Sequence, residues 1–209
     1  MKRLLSILLF IPILGFSQYT AIPDQNFEQA LIDLGHDDVL DGQVLTANIS
    51  TIDTLNILSG YIVVDLTGIE DFTALTYLNC IGNELTSLDV SQNTVLTSIN
   101  CAGNQLTSLD VSQNIELTSL HCYSNPFESL DVSNSIVLDT LICRWGGLES
   151  LNVTGCEELK YLDCHENQLN EFKLEMAKKD TPWELITEPT LNQEPVSPKM
   201  PCICLFGDP

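Results

Sequence analysis

The chain has 209 residues, with 29 Asp and Glu against 8 Lys and Arg, a formal net charge of −21 and 44% hydrophobic residues. Gln18 through Cys143 carries no Lys or Arg, which excludes a nucleic-acid binder, because phosphate recognition needs clustered cations to release counterions. The apolar content is ample for a core and excludes intrinsic disorder.

Residues 1–18 open with Lys2 and Arg3, continue as an apolar run from Leu4 to Phe16, and place Gly15 and Ser17 where a signal peptidase reads small residues. They predict an export signal cleaved after Ser17 or Gln18, and hence a secreted or cell-surface protein. A membrane span is not expected: this run falls short of the roughly 20 apolar residues that a spanning helix needs, and no later segment reaches that length.

Residues 19–44 predict an N-terminal helical cap. Asp24 is suited to N-cap a helix over 25–34, with Phe27, Ala30, Leu31 and Leu34 on one face and Gly35 as its stop. Asp37, Asp38, Asp41 and Gly42 then form an acidic turn that lacks the alternating spacing of a calcium loop. Residues 45–74 predict one or two irregular coils, and the cap would shield the open edge of the first of them.

Residues 75–179 are a repeat. LTYLNCIGNELTSLDVSQNTV from Leu75, LTSINCAGNQLTSLDVSQNIE from Leu96 and LTSLHCYSNPFESLDVSNSIV from Leu117 recur at an interval of 21 residues, and weaker copies begin at Leu138 and Leu159. Each copy divides into LxxLxCxxNx and LxxLDVSxNxx, two short strand-like stretches with no room for a long helix. Alternation turns Leu78 and Cys80 to one side, and stacking aligns Leu75 with Leu96, Leu117, Leu138 and Leu159. A buried Leu is worth roughly 1.5–3 kcal/mol, so such a stack is stable only when several coils share the core.

These residues resemble the leucine-rich repeat family, and LTGIEDFTALTYLNC from Leu66 resembles its internalin-type members. The LTSLDVSxN pattern, after a leader reading IPDQNFEQALIDLG, is similar to secreted leucine-rich repeat proteins of Bacteroidota. The resemblance implies a solenoid with a curved parallel β-sheet, stacked 21-residue coils and little helix. It also implies that residues flanking the two inward strand positions face outward on the concave sheet. Such relatives often end in a separate sorting domain; none is legible here, so either a truncated chain or export by the signal peptide alone is expected.

Three columns follow from the period. Cys80, Cys101, Cys122, Cys143 and Cys164 share one, and parallel side chains on strands about 4.8 Å apart converge neither for disulfides nor for tetrahedral zinc. Buried thiols acting as small apolar side chains are expected there. Cys156, Cys202 and Cys204 lie outside it and are the better disulfide candidates, with their pairing open. Asn83, Asn104, Asn125 and Asn167 form a second column, suited to bond the backbone of adjacent coils, and Gly146 interrupts it with an expected local irregularity. Asp89, Asp110 and Asp131 form a third, continued by Asn152 and Lys173. That row is either a solvated ladder held by turn N–H groups or a Ca²⁺ site; no other cofactor is expected.

The outward positions are bland in the first two coils and then gather His121, Tyr123, Arg144, Trp145, Tyr161, Asp163 and His165. Aromatics and Arg are enriched at binding hot spots, which marks this patch as the candidate ligand surface, for a protein partner in interaction or adhesion or for a surface glycan; a structural spacer of an envelope assembly is the reading if it takes neither. His121 and Asp163 stand two rungs apart, roughly 10 Å, too far to work as a pair. No nucleophile elbow, HExxH, phosphate loop or dinucleotide fingerprint occurs, so no enzyme is expected. Sequons at Asn48 and Asn152 and Asp-Thr-Leu runs at Asp53 and Asp139 are short patterns that could carry glycans. Residues 180–209 hold Pro without periodicity and predict a poorly ordered tail, with Trp183 and Leu185 folding back over the last coil. Oligomeric state is not legible.

Overall fold

The computed structural model describes residues 18–58 and 60–169, together with the backbone at 171–173 and 205–206. The export signal, the ordering of the tail, and the roles of Cys202, Cys204, Trp183 and Leu185 lie outside the described residues.

The cap is built around two carboxylates. Strands β1 (Tyr19–Ala21) and β2 (Gln43–Leu45) pair antiparallel and flank helix α1 (Gln25–Asp33). Asp24 caps that helix as expected: its Oδ1 accepts the N–H groups of Asn26 and Phe27 at 2.8 and 3.2 Å. Its Oδ2 accepts those of Val64 and Asp65 at 2.7 and 2.9 Å, which ties the cap to the first coil. Glu28, fully buried, directs Oε1 at the N–H groups of Asp41, Gly42 and Gln43 and so fixes the return to β2. The apolar face differs from expectation at Leu34, which is 41% exposed. The helix ends one residue earlier, Leu34 is its C-cap, and Gly35 at φ +81° turns the chain away.

Phe27 stacks on Phe72 with ring centroids 6.2 Å apart, which seats the cap on the solenoid. Gly68 is required at that seam, because a Cβ there would lie 2.4 Å from Ile22 Cδ1 and 2.7 Å from the Ala21 carbonyl oxygen. A short helix α2 (Thr46–Ile49), strand β3 (Thr54–Asn56) and a 3₁₀ turn (Ile69–Asp71) complete the irregular lead-in.

From there each coil contributes one rung to a parallel sheet: β4 (Tyr77–Asn79), β5 (Ser98–Asn100), β6 (Ser119–His121), β8 (Thr140–Ile142) and β10 (Tyr161–Asp163). The register places Leu55, Leu78, Ile99, Leu120, Leu141 and Leu162 in one line, all fully buried. Strand β12 (Leu205–Phe206) pairs antiparallel with β10, so the sheet has seven strands. On the second stretch of each coil, β7 (Ser129–Asp131), β9 (Ser150–Asn152) and β11 (Glu171–Lys173) form a smaller parallel sheet. The corresponding stretches at 87–89 and 108–110 carry no strand. No helix among the described residues is long and apolar enough to cross a membrane.

The Asn column closes the turns between rungs. Asn104 accepts the Leu85 N–H on Oδ1 at 3.0 Å and donates Nδ2 to the carbonyls of Cys80 and Cys101, each at 3.0 Å. Asn125 repeats this one coil on, with Leu106, Cys101 and Cys122. At Gly146 the column breaks, as expected, and Phe127, lacking an Asn carbonyl opposite, turns its N–H back to Asn125 O at 2.9 Å. A Cβ on Gly146 would approach that same Asn125 oxygen to 2.9 Å, so the local path admits only glycine.

A second buried column runs Asn93, Asn114, Ser135, Cys156. Asn93 donates to Ile69 O and Phe72 O, and Asn114 to Val90 O and Asn93 O, at 2.8–3.1 Å. Ser135 is too short to continue this, and its buried Oγ has no partner among the described residues.

Candidate functional site

The column three residues beyond β4, β5, β6, β8 and β10 has left-handed backbone. Gly82 (φ +69°) and Gly103 (φ +64°) are followed by Ser124 (+56°), Trp145 (+55°) and Glu166 (+55°). Glycine adopts this conformation freely, whereas a bulky side chain in it is an outlier that costs roughly 1–2 kcal/mol. Trp145 is nonetheless held there and is 50% exposed. Ser124 and Glu166 share the conformation, so the turn of the repeat sets it and the indole is presented outward from that turn.

The ring is surrounded by the residues that the sequence groups with it. The Arg144 guanidinium carbon lies 4.3 Å from the Trp145 ring centroid and 5.1 Å from that of Tyr123, so the cation is clasped by two aromatics on successive rungs. Tyr123 and Trp145 meet edge-on at 6.4 Å, and His165 stands edge-on to Trp145 at 5.3 Å. Arg144 Nη1 donates to Asp163 Oδ2 at 3.3 Å, while His165 Nδ1 contacts Asp163 Oδ1. The result is a rigid assembly in which one carboxylate orients both a guanidinium and an imidazole. Arg144 Nε is buried without a hydrogen-bond partner among the described residues.

Asp163 therefore differs from its expected place as a surface contact. It is 2% exposed, and both oxygens are engaged by Arg144 and His165, so it acts as the anchor of the patch. Tyr161 flanks it, half-buried, at the start of β10. His121 is joined to Asp163 only through Ile142, two rungs apart as the period requires, and burial lowers its pKa from the ordinary value. The left-handed column is the feature that reading by residue type misses, although its signal, glycine before Asn83 and Asn104, is present in the first two coils.

The Asp row has a local explanation. Asp89, Asp110 and Asp131 each accept the N–H of the Ser two residues on, at 2.9, 2.8 and 2.9 Å, and these bonds hold all three pKa values below the usual carboxylate range. Asn152 does the same for Thr154 at 3.1 Å and donates Nδ2 to Asp131 at 3.1 Å. Among the described residues no group of three or more His, Cys, Asp or Glu converges to hold a metal ion.

Cys80, Cys101, Cys122, Cys143 and Cys164 form the expected buried column. Burial pushes the Cys101 thiol up to about 12 and raises Cys80 and Cys122 as well. Cys156 departs from the expectation of a disulfide. It is a buried free thiol in the second amide column, where its Sγ donates to Val132 O at 3.2 Å, standing in for the Asn that bonds the equivalent carbonyl in earlier coils.

No family model and no curated protein matches the sequence. Among solved structures, the functional domain of InlJ from Listeria monocytogenes, described as including a cysteine ladder, is 32% identical with a TM-score of 0.68; the match covers 76% of this chain and 36% of that one. The internalin inlF of the same species is 21% identical with a TM-score of 0.55, over 72% of this chain and 52% of its own, a likeness of fold. This chain thus spans little more than a third of the InlJ domain. With its 21-residue coils, parallel sheet and cysteine column, it is an internalin-like leucine-rich repeat solenoid.

Proposed function

We propose that this chain is an exported, non-catalytic binding module that engages a protein at or outside the cell surface through Tyr123, Arg144, Trp145 and His165. The observation that carries the reading is Trp145, half-exposed and kept in a glycine-type backbone conformation over a guanidinium that Asp163 and Tyr123 hold in place. A rigid aromatic and Arg cluster loses little side-chain entropy on binding, which is the property of a hot spot. The basic start and short apolar run of residues 1–18 support export, and likeness to internalin solenoids supports a protein-interaction role.

Replacing Tyr123, Arg144 and Trp145 together by Ala is expected to abolish capture of a partner from native surface extracts. Unchanged capture would move the site elsewhere. A glycan ligand is the second reading, favoured by the open indole beside hydrogen-bonding groups, and binding on a glycan array that is lost in the same variant would select it.

A further inference from the structure

We propose, building on that reading, that the partner's contacting surface is basic, and that Trp145 and Glu166 together receive a Lys or Arg side chain from it. The two residues are successive rungs of the left-handed column, joined by the bond from Trp145 N–H to His165 O at 3.1 Å. In-register rungs of a parallel sheet lie about 4.8 Å apart, so an indole and a carboxylate stand side by side at the surface. Both are exposed. Glu166 makes no ion pair or side-chain hydrogen bond among the described residues.

That pair is chemically matched to a cation. The Trp145 ring already accepts a guanidinium over its face, from Arg144 at 4.3 Å, and half of the residue remains open to solvent. An incoming ammonium or guanidinium would meet the ring quadrupole and the Glu166 carboxylate at once, and Arg would add its planar fork. Nothing equivalent exists earlier in the column, which holds uncharged Ser124 one coil before Trp145 and Gly103 and Gly82 two and three coils before it.

The field of the whole molecule selects the same sign. Among residues 18–169 the only Lys and Arg are Arg144 and Lys160, and each sits against an Asp, at 3.3 Å to Asp163 and 3.6 Å to Asp139. With these two cations paired and a net charge of −21 on the chain, the solenoid attracts basic surfaces and repels acidic ones over about a Debye length. Steering and local chemistry therefore agree on a Lys- or Arg-bearing partner.

The test is titration of the full chain with a synthetic Arg- and Lys-rich peptide, with a Glu-rich peptide of equal length as control, followed by fluorescence anisotropy. Trp145→Gly is the informative variant, because glycine is resident in this column at Gly82 and Gly103 and the fold tolerates it. The expected result is binding of the basic peptide alone, weakened about tenfold by Trp145→Gly and about fivefold by Glu166→Gln, with a melting temperature that neither substitution lowers. Basic-peptide binding that ignores both substitutions would overturn the proposal and leave only diffuse attraction to an acidic surface. Equal binding of the acidic peptide would overturn it too. The two readings fail separately: capture from surface extracts that ignores the triple Ala variant removes the patch, whereas capture that needs Tyr123, Arg144 and Trp145 but is indifferent to Glu166→Gln and to salt leaves the patch and removes the basic partner.

Discussion

Asp24 Oδ2 accepts the N–H of Val64 at 2.7 Å, joining the first turn of the cap helix to an irregular segment 40 residues further along the chain. The same side chain serves Asn26 and Phe27 through its other oxygen, so one carboxylate satisfies the helix start and the first coil together. Asp24→Ala removes an N-cap and strands N–H groups at the seam. The expected loss is about 2–4 kcal/mol, measured as a lowered denaturation midpoint. Asp24→Asn, which keeps an acceptor, should lose about half as much.

Ser135 and Cys156 occupy positions where Asn93 and Asn114 use amides. The buried Ser135 Oγ has no partner among the described residues, and Asn114 one coil earlier shows that the equivalent position accommodates a longer side chain. Ser135→Asn should donate to the carbonyls of Val111 and Asn114 and stabilise the protein by about 1 kcal/mol. A loss of stability in chemical denaturation would mean that the coil from Leu117 has tightened around serine.

Ser124 and Glu166 carry side chains in a conformation that glycine takes without strain. Glycine at either position should raise stability by about 0.5–1 kcal/mol, the relief of strain less the larger entropy of the unfolded glycine. Thermal melts of the two single variants and their combination check this, and the gains should add, since the positions are two rungs apart.

The Asp row gives a pH signature. Asp89, Asp110 and Asp131 have lowered pKa values in the folded state because serine N–H groups bond their carboxylates. Their stabilisation is therefore fully present above about pH 4, the unfolded range, and is lost as pH falls through the lower folded values. A triple Asn variant keeps the turn acceptors, as Asn152 does, and its melting temperature should converge on that of the unsubstituted protein below about pH 3. The effect is small, because all three side chains are exposed. Millimolar Ca²⁺ should leave the melting temperature unchanged; a rise of several degrees would instead make the row a calcium site.

Thiol labelling tests the core. Cys80, Cys101, Cys122 and Cys156 are buried, and burial raises every one of these thiols, Cys156 to about 11. Alkylation of the native protein followed by mass spectrometry should leave all four unmodified, and labelling should require unfolding.

The solenoid and most of its ladders were legible because identical residues recur at a fixed interval: Leu78, Cys80 and Asn83 each predict their own burial once the coils are aligned. Asp24 was legible because capping is a local matter. What escaped depended on comparing positions rather than residue types. Cys156 is a cysteine when read alone and an amide substitute when read in line with Asn114. Trp145 and Glu166 share no chemistry with Gly82, and only backbone conformation unites them. Asp163 escaped for a different reason: its burial is created by side chains from its own rung and the one before it, Arg144 and His165, whose reach no periodic pattern encodes.

The left-handed column has one property that the inward columns lack. An inward Leu or Cys is fitted on every side, and changing it disturbs neighbouring coils. Residues in the left-handed column project outward, so exchange there costs only the modest local price of leaving glycine. Gly82, Gly103, Ser124, Trp145 and Glu166 are thus five settings of one dial. A solenoid of this kind can acquire or trade specificities coil by coil while its interior stays untouched.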